Sequence, residues 1–174
     1  LVDTPGFQRA RKVFSRLRER GGTAAEHPEA VRAFLDSGCT EEAFRNECEL
    51  LRPVMDGAGV LYVVDGSVPY GREYEAEMEI LRWTGQPRMA LINPIGDAGH
   101  VEDWKAALGQ YFSVVRVFNA VMADFTKQVE LLRAFGQLKE EWRLPLEEAV
   151  ESLVADRRRR RSRAARIVAE TVSE

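Results

Sequence analysis

Three short runs along the chain are apolar almost without interruption: GVLYVVD over residues 59–65, RMALIN over 88–93 and SVVRVFNA over 113–120. Each is rich in β-branched residues and bounded by glycine or polar breaks, which predicts strands buried on both faces. Around them the apolar residues recur at helical intervals instead. REYEAEMEILRWTG brings Tyr74, Met78 and Leu81 to one face and stops at Gly85. VEDWKAALGQYF does the same with Val101, Trp104, Ala107, Leu108 and Tyr111, and FTKQVELLRAFGQL with Phe125, Val129, Leu132 and Phe135. Such alternation predicts an α/β fold with right-handed crossovers, a parallel sheet and flanking helices.

LVD at residues 1–3 reads as the tail of one more strand. QRARKVFSRLRER (8–20), PEAVRAFLDSG (28–38, started by Pro28) and TEEAFRNECELLRPVM (40–55, capped by Thr40) read as helices, with GGTAAEH as a break. At the other end, residues 145–174 read as one long helix, apolar at Leu146, Val150, Leu153 and Val154 and again at Ile167, Val168 and Val172. In an open parallel sheet, ligands sit beyond the carboxyl ends of the strands. The loops that follow strands, DTPGF (3–7), NPIGD (93–97) and FNA (118–120), are therefore expected to share one rim.

Composition adds boundaries. The 174 residues, 45% of them hydrophobic, suffice for one ordinary core and an appendage. No run is long enough to span a membrane and no charged-then-apolar leader is visible, so a cytoplasmic location is expected. Cys39 and Cys48 lack the CxxC spacing of metal sites and read as free thiols. His27 and His100 read as surface positions, and Trp83, Trp104 and Trp142 as core or interface residues. Although the formal net charge is −3, residues 156–166 hold seven arginines against Asp156 alone. Arg157, Arg158, Arg159, Arg160 and Arg161 point all round a helix, so that stretch cannot be buried on any side.

For chemistry, GSVPYGRE (66–73) has the glycine spacing of a phosphate-binding loop, but Arg72 and Glu73 stand where lysine and a hydroxyl are needed, so it reads as a strand-to-helix turn. Four other stretches agree in order, spacing and strand context: LVDTPGF, GAGVLYVVDGS, LIN with its polar loop, and VFNA. Together they resemble the P-loop GTPases of the Era-like branch. ECELLRPVMDGAGVLYVVDGS and EILRWTGQPRMALIN narrow this to a bacterial group of GTPase-like proteins with an uncharacterised C-terminal domain.

That resemblance implies an incomplete P-loop GTPase fold, truncated before the Walker B and switch II motif. Residues 1–140 would form the partial GTPase domain with a helical insertion at about residues 8–40, lacking the phosphate-binding loop and switch I. Residues 141–174 would be a basic helical extension opening a C-terminal region. It further implies GTP as ligand and Mg²⁺ as cofactor, with GTP hydrolysis in the full-length protein and no tight nucleotide binding by this segment alone. Asp3 would hold Mg²⁺ through water, Thr4, Pro5 and Gly6 would shape the switch loop, and the Gly6 amide, the catalytic group, would reach the γ-phosphate. Asn93 would bind the base, Asn119 and Ala120 would stand in the Ser-Ala loop, and Asp97 would replace the base-reading Asp, displaced by one position because Pro94 and Gly96 interrupt the motif. Phe7 replaces a water-orienting glutamine, so hydrolysis is expected to be slow or to need a partner. A non-catalytic relative that docks on a partner is the alternative function. The five arginines fit a linker helix, a protein partner or an anionic membrane surface, which would place the protein peripherally at the membrane; nucleic acid ranks behind these, since no aromatics interleave the charges.

Overall fold

The computed structural model describes residues 2–96 and 98–172. They form seven helices and three strands in two compact units, divided between Val121 and Met122. The sequence predicts the division at residues 140 and 141, whereas the compact units part at Val121 and Met122.

The first unit begins with an extended stretch, then α1 (Ala10–Arg20), a 3₁₀ turn at Ala24–Glu26, α2 (His27–Gly38), a second 3₁₀ turn at Glu42–Phe44, and α3 (Arg45–Met55). After these come β1 (Val60–Asp65), α4 (Glu73–Trp83), β2 (Arg88–Asn93), α5 (Val101–Leu108) and β3 (Val114–Val117). The strands form a parallel sheet in the order β1-β2-β3, with Val60 opposite Arg88, Asp65 opposite Asn93, and Met89 opposite Val114. The predicted α/β class and parallel sheet are therefore observed.

Only β2 is the doubly buried strand that all three runs predict: Met89, Ala90, Leu91 and Ile92 are all buried. β1 and β3 are edge strands, and Val63 and Val117 are 55% and 46% exposed. An uninterrupted apolar run signals hydrophobic character but not its neighbours, and with three strands only the middle one is covered on both sides. LVD is not a strand either. Val2 and Asp3 pair with nothing in the sheet, and Val2 is 70% exposed. Leu1 lies outside the described residues.

The helices at residues 8–55 contribute to the main core. Val13 and Leu17 of α1, Val31 and Phe34 of α2 and Leu51 of α3 belong to the same core as Met78, Ile80, Ile92 and Trp104. α1 packs on α2 and α4, and α2 on α3 and α4. Their starts differ from expectation. Thr40 does not cap α3; its hydroxyl donates to the Ser37 carbonyl at the end of α2, and α3 starts only after the 3₁₀ turn. Cys39 and Cys48 are joined in a disulfide, contrary to the free-thiol reading, because the fold-back between α2 and α3 brings their Cα atoms to 5.8 Å. α4 ends as predicted at Gly85, whose φ of +70° favours glycine.

The second unit is a helical hairpin of α6 (Phe125–Gly136) and α7 (Glu140–Val172). Asp124 caps α6 by accepting from the Lys127 N–H at 2.9 Å. Val129, Ala134 and Val150 are buried, Phe135 stacks on Trp142, and Arg133 makes a bidentate pair with Glu147. The single long helix read from the sequence is present, and Arg157–Arg161 are exposed as its winding requires.

Candidate functional site

At the carboxyl end of the sheet, β2 ends at Asn93 and β3 leads into Asn119 and Ala120. The Asn93 Oδ1 accepts from the Ala120 N–H at 3.0 Å, the Asn119 amide donates to the Pro94 carbonyl at 3.0 Å, and the Asn119 Oδ1 accepts from the Val121 N–H at 3.0 Å. Two loops far apart in sequence are thus cross-tied by side-chain amides, and three of the predicted site residues, Asn93, Asn119 and Ala120, meet. Asp97 lies outside the described residues.

The neighbouring strand end is organised differently. Asp65, opposite Asn93 in the sheet, accepts from both the N–H and the hydroxyl of Ser67, at 2.9 and 2.6 Å. These bonds hold its carboxyl below the ordinary carboxylate range. Asp65 therefore closes the turn after β1. Within that turn a Cβ at Gly66 would stand 2.6 Å from Ile92 Cγ2, so Gly66 serves close packing and the 66–73 stretch is a turn, as read. The Trp104 indole donates to the Val68 carbonyl at 2.8 Å and pins the turn to α5.

Asp3, Thr4, Pro5 and Gly6 line a cleft of about 440 Å³ together with residues 61–65 of β1. The cleft does not include Asn93, Asn119 or Ala120, so the predicted residues form two groups, joined through the Asp65–Asn93 pairing of the sheet. Residues 2–6 make no hydrogen bond among the described residues. The chain is first gripped just beyond them: Phe7 packs against the core, and Glu47 of α3 accepts from the Gln8 and Arg9 N–H groups at 2.9 and 2.6 Å. Glu47 is 1% exposed and caps α1 from another helix. A signal for it was present in the sequence. Glu47 shares the buried i, i+3, i+4, i+7 stripe of α3 with Leu50, Leu51 and Val54, and a carboxylate there needs donors.

A half-buried pair lines the cleft. The Tyr62 hydroxyl donates to Glu77 at 2.8 Å. Burial raises the pKa of both groups, and the bond from Tyr62 partly offsets this for Glu77. His27, expected on the surface, instead stacks on Trp83 with ring centroids 3.6 Å apart and serves packing. Trp83 and Trp104 are core residues, as read.

The residues can be set against the ligands that the resemblance implies. Asp3 is exposed and free of any protein partner among the described residues. Among these residues no group of three His, Cys, Asp or Glu side chains gathers for a metal, so the chain would offer Mg²⁺ one carboxylate, which suits an ion that keeps most of its water. A Cβ at Gly6 would meet nothing within 4 Å, so the space beside its backbone is open. These features fit a phosphate-bound Mg²⁺ at this loop.

Comparison with known proteins gives a family-model match for the C-terminal part of the chain. Residues 105–174 match a family model described as Domain of unknown function (DUF3482), covering the second half of α5, β3 and the whole helical hairpin. No curated protein and no solved structure matches the chain. Among the described residues no helix is long and apolar enough to cross a membrane.

Proposed function

We propose that the chain is part of a GTP-binding switch protein, with the carboxyl rim of its sheet as the nucleotide site. The observation that carries the reading is the Asn93–Ala120 bond, which sets a side-chain amide from one loop against a backbone amide from another on the rim where open parallel sheets bind ligands. Asn93, Asn119 and Ala120 form the base end of the site: their mutual bonds hold the two loops in place, and any of these groups that reads the base exchanges its present bond for one to the ligand. Asp3 holds the water shell of Mg²⁺, which neutralises phosphate charge when bound. Gly6 offers its N–H toward the terminal phosphate across the open space beside it, with Thr4 and Pro5 shaping the loop.

No polar side chain at position 7 orients a water, since Phe7 packs on the core, so hydrolysis is slow. The same packing supports a second reading, a non-catalytic relative in which the loop responds to nucleotide without hydrolysing it. A test of the first reading is titration of the complete gene product with GTP and ATP in the presence of Mg²⁺, followed by single-turnover hydrolysis. Preferential GTP binding with turnover supports it; binding without turnover favours the second reading; no nucleotide binding removes both.

A further inference from the structure

One face of α7 changes chemistry as it passes the start of α6. Val150, fully buried, and Val154 form its apolar part; three, four and seven positions after Val154 the same face carries Arg157, Arg158 and Arg161. With Asp124, Phe125 and Thr126 these arginines line a pocket of about 270 Å³ within the second unit. None of the three is in an ion pair among the described residues: Asp156 and Glu147 pair with Arg159 and Arg133, and Glu151 lines an adjoining pocket with Arg158 without pairing to it. Asp124 is the only acid in the lining, and its carboxylate is occupied as the cap of α6. Three guanidiniums against one carboxylate leave the pocket with a net charge of about +2. Arg157 lies over the Phe125 ring at 4.3 Å. Stacking fixes the guanidinium plane and leaves its in-plane N–H donors free.

We propose that this pocket binds a phosphate monoester dianion, independently of the nucleotide reading above. Planar guanidiniums pair bidentately with phosphate oxygens, and a monoester carries about −1.5 to −2 at neutral pH, which matches the excess charge of the lining. A single carboxylate would balance only half of it. The remaining arginines of the block, Arg160 and Arg163 among them, do not line the pocket and take no part.

The test titrates the complete gene product with sn-glycerol 3-phosphate, read from arginine Nε–Hε NMR signals, alongside phosphatidylcholine vesicles with and without phosphatidic acid. Saturable binding is expected, weakened about tenfold or more by Arg158→Gln and by Arg161→Gln, and changed less than about twofold by Arg160→Gln or Arg163→Gln. All four side chains are exposed, and circular dichroism of each variant checks that the helix persists. Vesicles binding more tightly than the soluble ester place the phosphate on a lipid; vesicles binding no more tightly place it on a free ester. Equal weakening by all four substitutions, the mark of diffuse attraction to a basic helix, overturns the proposal, as does the absence of saturable binding to both probes.

Discussion

The loops at the carboxyl ends of β2 and β3 and the stretch at residues 2–6 beside β1 are held in opposite ways. The Asn93 and Asn119–Ala120 loops are locked by three side-chain hydrogen bonds at 3.0 Å, whereas residues 2–6 make none among the described residues and the first bonded grip on the chain is at Gln8 and Arg9. A locked loop presents fixed donors and acceptors and suits recognition of a rigid group. Residues 2–6 carry no such bond, so moving them relative to the sheet breaks none. The grip is Glu47 of α3, which ties the chain just before α1 to that helix.

The contrast is open to attack at four points. The largest effect is expected from Glu47→Ala, which leaves two backbone N–H groups without their buried acceptor and costs about 2–3 kcal/mol, a fall in Tm of several degrees. Glu47→Gln, which retains one acceptor oxygen, falls less; equal losses would show that the charge, not the cap, matters. Asn93→Ala removes the tie to Ala120 and costs about 1 kcal/mol of stability, while in the complete gene product it lowers GTP affinity about tenfold or more. Affinity unchanged by Asn93→Ala would detach the locked loops from nucleotide recognition.

Glu77→Gln tests the border of the cleft. Burial raises the Glu77 carboxyl above its ordinary value of 4.5. A carboxyl with a higher pKa folded than unfolded favours the folded state only while protonated, so its contribution is complete below the ordinary value and is lost as pH rises through the folded one. Glutamine stays neutral and can still accept from Tyr62. Thermal melts should find the variant more stable than the wild type at neutral pH, with no advantage at about pH 4. An advantage that persists in acid would place its cause elsewhere. The smallest effect is expected from Gly6→Ala. With nothing within 4 Å of the new methyl, stability should change by less than about 0.5 kcal/mol, while nucleotide-dependent behaviour of the loop is impaired. A large loss of stability would mean that residues 2–6 are packed after all.

How much of this was legible in the sequence depends on whether a signal is local. β2 is found residue for residue, and the Gly85 stop and the long final helix are right, because strand character, a left-handed glycine and helical periodicity are properties of short segments. The edge positions of β1 and β3 were missed because burial of a strand is set by its neighbours. The pairing of Cys39 with Cys48 was missed because it depends on the turn between α2 and α3. Thr40 has the chemistry of a cap, but its hydroxyl turns back to α2. Of the site, the meeting of Asn93 with Asn119 and Ala120 followed from strand order alone. The Glu47 grip did not, since it joins residues 38 and 39 positions apart.

The account's central claim is that the rim carrying Asn93 and Ala120 holds a guanine nucleotide whose Mg²⁺ lies beside Asp3. The most direct measurement is equilibrium binding of a fluorescent GTP analogue to the complete gene product, with and without Mg²⁺, in the wild type and in Asp3→Ala. GTP should displace the analogue more effectively than ATP, and Mg²⁺ should strengthen wild-type binding much more than binding to the variant. If GTP does not bind, or if Asp3→Ala responds to Mg²⁺ as the wild type does, the claim is contradicted.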